Sequence, residues 1–180
     1  QILGAVGYYE DGPALGVRVC LEGGISKAKE VVETLEERRK RANKKVLAML
    51  YRERLKETEH IQWFDAADAY RGMGTKVIGQ FCSFLSYQRR LIKPHKYLFG
   101  FMNVPQTVPG WGKLKQKLVK ASVRVPKPLQ SSIKAGKALG AVNLLLQASR
   151  DFGVADGHEF AASVVLPAEK KEELIELSEN

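Results

Sequence analysis

One helical pattern of unusual length limits what this chain can fold into. Between residues 26 and 55, Ala28, Val31, Leu35, Ala42, Val46, Met49 and Leu50 recur at spacings near three and four. That period predicts one helix with a single apolar stripe, opened by Ser26 as its N-cap. Glu30, Glu33, Glu36 and Glu37 lie on its other faces and precede Arg38, Arg39, Lys40, Arg41, Lys44 and Lys45. Acid before base suits the helix dipole, and Glu36–Lys40 and Glu37–Arg41 have the spacing of supporting pairs. About 30 residues of helix span roughly 45 Å. That length suits a spacer between two lobes or a coiled-coil arm. Its basic run reads as a solvated face.

The rest of the chain alternates strand and helix patterns. Gly16-Val17-Arg18-Val19-Cys20-Leu21 alternates up to Gly23-Gly24 and reads as a strand. Residues 59–70 read as a strand running into a loop. Arg71-Gly72-Met73-Gly74-Thr75 then opens a helix through Val77, Ile78, Phe81, Phe84 and Leu85. Two glycines before a helix suit an anion site or a tight turn. The run is neither a Walker loop nor the dinucleotide fingerprint. Residues 97–104 read as a strand, stopped by Pro105 and Pro109. In the strand 118–125, Val119, Ala121, Val123 and Val125 share one side, and Lys120, Ser122 and Arg124 the other; Pro126 and Pro128 end it. A helix is expected over 137–152, with Gly153 as its C′ residue. A loop over 154–157 leads to a strand over 158–166, closed by Pro167. A final helix uses Leu174, Ile175 and Leu177. No internal repeat is visible, and the softest linker is 105–112. The expected class is α/β: a mixed sheet of about five strands flanked by helices, preceded by a long connecting helix.

Charge says what such a fold would bind. Lys and Arg number 29 against 20 Asp and Glu, a net charge of +9 and a pI near 9.6. Residues 113–137 hold eight Lys or Arg and no acid, while 169–180 is net acidic. A concentrated positive field favours a phosphate-bearing partner, nucleic acid first. The alternative is a solvated basic surface. No apolar run is long enough to span a membrane. No charged segment followed by an apolar one opens the chain, so no signal peptide is expected. The first residue is Gln1, which suggests a processed chain or a fragment. Two cysteines, Cys20 and Cys82, sit among apolar neighbours and are expected as buried, reduced thiols of a cytoplasmic protein.

The most informative stretch joins Arg124 to Val154-Ala155-Asp156-Gly157-His158-Glu159-Phe160-Ala161-Ala162-Ser163. A glycine loop delivers a histidine to the start of a strand, and small residues follow. Gly157 permits close backbone approach. His158 can donate to an anion, Arg124 can grip a phosphate through two donors, and Ser122 stands beside it. A structural or merely exposed histidine remains the alternative for His158. Candidate stacking aromatics are Trp111, Tyr97 and Phe160; each is equally a core candidate.

This order of Ser122-Val123-Arg124, helix, glycine loop, Gly157-His158 and Ala161-Ala162 resembles the DHH-associated domain of RecJ-type exonucleases. That family's loop is typically Gly-Gly-Gly-His followed by Ala-Ala-Gly. Here it reads Ala155-Asp156-Gly157-His158, so only the last glycine and the histidine match. The run Arg71 to Gly79 is similar to the helix start of the same domain, and residues 26–55 to the connector between its two lobes. The wording of 59–166 is most similar to archaeal RecJ-like proteins, including the GINS-associated nuclease.

The resemblance implies a division into 1–57, the end of an N-terminal lobe plus connector, and 58–180, the substrate-binding domain. It implies that His158, Gly157, Arg124 and Ser122 hold a substrate phosphate opposite two Mn²⁺ or Mg²⁺ ions. Those ions belong to a DHH lobe that is not in this sequence. Arg71, Gly72, Gly74, Thr75, Lys113, Lys115, Lys117, Lys120, Lys127 and Lys134 are the further candidate nucleic-acid contacts. His60, His95 and His158 are scattered and no Asp-x-Asp occurs, so no metal ligand and no catalytic residue is expected here. The implied partners are single-stranded DNA or RNA, the chain's own DHH lobe, and GINS. The implied setting is DNA replication and repair at the nucleoid. Two other readings stay open: an inactive replisome scaffold, and a phosphoesterase for short oligonucleotides or cyclic dinucleotides.

Overall fold

The computed structural model describes residues 12–23, 28–108 and 112–179. Its first element is a helix, α1 (Gly12–Glu22), where alternation predicts a strand. Val17 and Leu21 are exposed there, so the alternation buries neither. Among the described residues no strand pairs with it, and the segment satisfies its backbone internally as a helix. Cys20 is exposed on α1, against the expectation of a buried thiol, whereas Cys82 is buried.

The long helix is α2 (Lys29–Glu53), 25 residues with Leu35, Ala42, Val46 and Leu50 buried along one stripe. It ends where Arg54 turns to a φ of 63°. Arg41 pairs with Glu37 at 3.2 Å as spacing predicts, while Glu36 pairs with Arg39. Ser26 lies outside the described residues.

Downstream come β1 (Lys56–Glu57), β2 (Ile61–Asp65), α3 (Lys76–Leu85) and β3 (Tyr97–Asn103). Next are the short β4 (Thr107–Val108) and β5 (Gly112–Lys113), which pair with each other inside the expected linker. Then follow β6 (Leu118–Arg124), α4 (Lys127–Lys134), α5 (Ala141–Ser149), β7 (Val154–His158), β8 (Ala161–Pro167) and α6 (Lys171–Leu177). The fold is α/β, with a mixed sheet in the order β1-β2-β3-β6-β8-β7. Among the described residues only β2 and β3 are parallel, joined through α3.

Three local readings are corrected. Residues 154–158 form a strand, not a loop, so the segment expected as one strand from His158 is a hairpin turning at Glu159-Phe160. Pro128 does more than close a strand: it sits in the first turn of α4, where its missing N–H costs nothing. The helix expected over 137–152 is shortened to α5, beginning after Gly140. A Cβ at Gly140 would lie 3.2–3.3 Å from Glu159, so glycine lets the hairpin turn approach.

Two cores form, one on each face. On one, Phe99, Phe101, Val119, Ala121 and Val123 pack against α4, α5 and α6 through Leu129, Leu145 and Leu174. On the other, Phe64, Leu98 and Met102 pack against Ile78, Phe81 and Leu85 of α3 and Ala42, Val46 and Leu50 of α2. The buried Gln62 donates to the carbonyls of Lys93 and Lys96 and accepts from the Lys93 N–H, fastening the loop between α3 and β3.

Candidate phosphate-binding face

β6 is the floor of the site. Its alternation sends Val119, Ala121 and Val123 into one core and Lys120, Ser122 and Arg124 towards α3. α3 lies close because residue 79 is glycine: a Cβ there would stand 2.8 Å from Arg124 Nη2 and 3.3 Å from Ser122 Oγ. Arg124 Nε donates to Ser83 Oγ at 2.8 Å, and Nη1 donates to the Val123 carbonyl at 2.8 Å. The guanidinium is thus fixed against the helix. Ser122 is buried, and the Cys82 thiol donates to its carbonyl at 3.8 Å.

β8 and β7 carry this floor beyond the helix. Their antiparallel register aligns three rows: Arg124–Ala161–His158, Ser122–Ser163–Asp156, and Lys120–Val165–Val154. Neighbours within a row stand about 5 Å apart, and successive rows about 7 Å apart along the strand. β7 and β8 are open on this face, where Val154 is 86% exposed. Arg124 and His158 are the cross-strand neighbours of Ala161, whose side chain is only a methyl group. Ala162, by contrast, is buried in the core.

The hairpin turn is tied down from both sides. Val125 N–H donates to the Phe160 carbonyl (3.0 Å), and Ala141 N–H donates to the Glu159 carbonyl (2.7 Å). The Phe160 N–H donates to His158 Nδ1 at 3.3 Å, which leaves Nε2 as the ring's outward donor. Gly157 serves the hairpin itself: its φ is 148°, and a Cβ would stand 2.5 Å from Ala162 Cα.

On the three rows the two cations of β6 face one carboxylate, Asp156. Among the described residues, no ion pair holds Arg124, Lys120 or Lys76. Burial, then Lys76 and Arg124, holds the Lys120 ammonium below its ordinary pKa, with Asp156 acting in the opposite sense. Burial also lowers Arg124. Half-buried cations without a carboxylate are uncommon, since desolvation disfavours them. They suit an anion arriving from outside.

The remaining candidates are dispersed. Arg71 is exposed, and Gly72 (φ 79°) and Gly74 (φ 73°) form the turn leading into α3. Thr75 sits at the N-cap without a side-chain cap. Lys113 lies on β5, and Lys115 and Lys117 are exposed just before β6. Lys127 and Lys134 belong to α4, across the sheet from the open face. Lys134 lies over the Phe160 ring at 5.6 Å. The basic stretch 113–137 is therefore not one groove. Tyr97 is buried and donates to the Leu139 carbonyl, so it is a core residue. Trp111 lies outside the described residues. Asp65 accepts from the Ala67 N–H and pairs with Lys171 at 2.8 Å, and Asp68 accepts from Asn103. Sequence reasoning quoted Gly79, Ala161, Ser163 and Lys76 within its motifs and gave none of them a place in the site. The signal that finds the middle two is the pairing of 154–158 with 161–167.

No family model matches the chain, and no curated protein matches it. Among solved structures it is similar to RecJ of Thermus thermophilus in complex with Mn²⁺. That match has a TM-score of 0.58 and 17% identity, covering 98% of this chain and 22% of the RecJ chain. The Mg²⁺ complex of the same protein gives 0.54 and 18%, covering 91% and 21%. An exonuclease RecJ bound to manganese gives 0.52 and 19%, covering 91% and 34%. The chain shares its fold with part of RecJ. It spans only about a fifth to a third of those RecJ chains. The RecJ-like fold agrees with the resemblance read from Arg124, Gly157 and His158.

Those RecJ structures contain Mg²⁺ or Mn²⁺. Among the described residues here, no three His, Cys, Asp or Glu side chains gather where they could hold a metal ion. The residues present do not fit a metal pair. What this face presents chemically is the Arg124 guanidinium, the Lys120 ammonium and the His158 imidazole. No helix among the described residues is long and apolar enough to cross a membrane.

Proposed function

We propose that this chain is the substrate-binding part of a metal-dependent exonuclease of single-stranded DNA or RNA. Its open face holds a phosphate of the strand between Arg124 and His158. The Mn²⁺ or Mg²⁺ ions that hydrolyse the phosphodiester belong to a DHH lobe outside this sequence. The observation that carries the reading is the row Arg124–Ala161–His158, with a half-buried guanidinium at one end and an imidazole donor at the other. The RecJ-like fold and the net charge of +9 support it. The motif residues Ser122, Arg124, Gly157 and His158 favour the archaeal, GINS-associated type, acting in replication or repair at the nucleoid.

The test is fluorescence-anisotropy binding of the chain to a labelled single-stranded oligonucleotide, beside its duplex, at two salt concentrations. Binding is expected to prefer the single strand, to weaken steeply with salt, and to fall about tenfold or more in His158→Ala, whose melting temperature stays near the parent's. Absence of binding at low salt overturns the reading. A large drop in melting temperature in His158→Ala makes the histidine structural.

A further inference from the structure

We propose that the same face carries a second anion subsite, at Lys120 and Lys76, which takes another, non-adjacent phosphate of the same strand. This rests on the phosphate site proposed at Arg124 and His158, and it makes the ligand an oligonucleotide laid along β6.

Lys120 lies four residues before Arg124 on the same face of β6, in the third row with Val165 and Val154. Lys76 is the first residue of α3, one turn before Gly79, which lies over Ser122 in the middle row, and its charge is among those that hold the Lys120 ammonium down. Two like charges on this side of the sheet, one half-buried and neither ion-paired among the described residues, form a place that an anion stabilises, against the opposing field of Asp156 on Lys120. The middle row is different. It ends in the exposed carboxylate of Asp156, which repels a phosphate there. Anions are thereby directed to the first and third rows, about 13 Å apart along the strand. At the third row, Val154 and Val165 help line a cleft of about 540 Å³ together with Gln116, Leu118 and the ion pair of Arg150 with Asp151. Exposed Lys115 and Lys117 lie at the same end of β6. The cleft gives the strand room to continue.

The experiment is a competition series, with unlabelled oligothymidylates of increasing length from the dinucleotide displacing a labelled single strand from the full chain. For the parent, affinity should rise by about tenfold or more once the strand reaches both rows. Lys120→Met keeps the apolar stem and removes the ammonium. It should abolish that rise while leaving the dinucleotide within about twofold of the parent. Lys76→Gln, at an exposed position, should give a smaller loss with the same dependence on length. Equal weakening at every length, or no change at any length, overturns the second subsite. His158→Ala measured alongside separates the two ideas. Weakening at every length supports the first phosphate site, and no weakening removes that site whatever Lys120 does.

Discussion

Replacing Ala161 by leucine isolates the central claim about the face. Ala161 stands between Arg124 and His158, and its side chain is the smallest that a chiral residue can present there. Leucine would fill the gap with three further carbons. On the folding side little should change, because β8 is open on this face and the longer side chain would extend towards solvent. Surface changes of this kind stay within about 0.5 kcal/mol. On the binding side the effect should be large. A phosphate held by a guanidinium and an imidazole makes charge-assisted hydrogen bonds worth about 1.5–3 kcal/mol each. Excluding it from both removes about 3–6 kcal/mol if nothing compensates. A loss of about a hundredfold in affinity is therefore a conservative expectation. The assay pairs oligonucleotide anisotropy with urea denaturation of the same sample. Leu146→Met, at an exposed position of α5 across the sheet from this face, is the control and should bind as the parent does. If Ala161→Leu folds normally and binds within about threefold of the parent, the gap between Arg124 and His158 is not where the phosphate sits.

Gly157→Ala should act on stability instead. At a φ of 148°, with the new Cβ 2.5 Å from Ala162 Cα, it must push the hairpin apart. Backbone strain and overpacking together should cost about 2–5 kcal/mol, read from the urea midpoint; an unchanged midpoint refutes the register of β7 on β8. Thiol labelling checks the core. Burial pushes Cys82 up to about 12, so the native chain should react once with iodoacetamide, at exposed Cys20, and twice in denaturant. Raising the folded-state pKa of an acid above its unfolded value gives stability that is lost as the unfolded thiol ionises. The melting temperature should therefore fall between about pH 9 and 12, less so in Cys82→Ala.

The parts of the fold legible in the sequence were those whose burial is periodic. The stripe of α2, the apolar run of α3 and the alternation of β6 each expose a face preference that Val46, Ile78 or Val123 carries unaided. The parts that were not legible lack such a preference. β7 reads as a loop because Val154, Asp156 and His158 are all exposed, and its strand character comes only from pairing with β8. α1 reads as a strand because a six-residue alternation means little without a partner strand to bury it. The site divides in the same way. Arg124 and His158 were nameable from residue type and motif. Ala161, Ser163 and Lys76 enter only through register and helix placement, which are long-range facts. Linear charge misled for the same reason. The cations of 113–137 are contiguous in sequence, yet β6 and α4 lie on different sides of the sheet, so Lys120 and Lys127 cannot share a groove.

That separation sharpens what the face is for. A basic protein that needed only general attraction for nucleic acid could spread its lysines over solvent, where each keeps its hydration. Here Arg124 is held against α3 by Ser83, and Lys120 is half-buried four residues away on the same face of β6. Both are partly desolvated and neither is in an ion pair among the described residues, although Asp156 acts on Lys120 from the neighbouring row. Such groups lower the stability of the free chain and gain most when an anion arrives. Gly79 leaves the guanidinium where it is, because a Cβ there would stand 2.8 Å from Arg124 Nη2 and displace that end of the side chain. A helix normally loses about 1 kcal/mol by carrying glycine in place of alanine. The chain accepts that loss at the one point where α3 must close over a charged row. Local rules of folding are thus set aside at Gly79, Lys120 and Arg124, and all three lie on one face of β6 and the helix over it. A bound anion on that face, as proposed, would offset the cost of each.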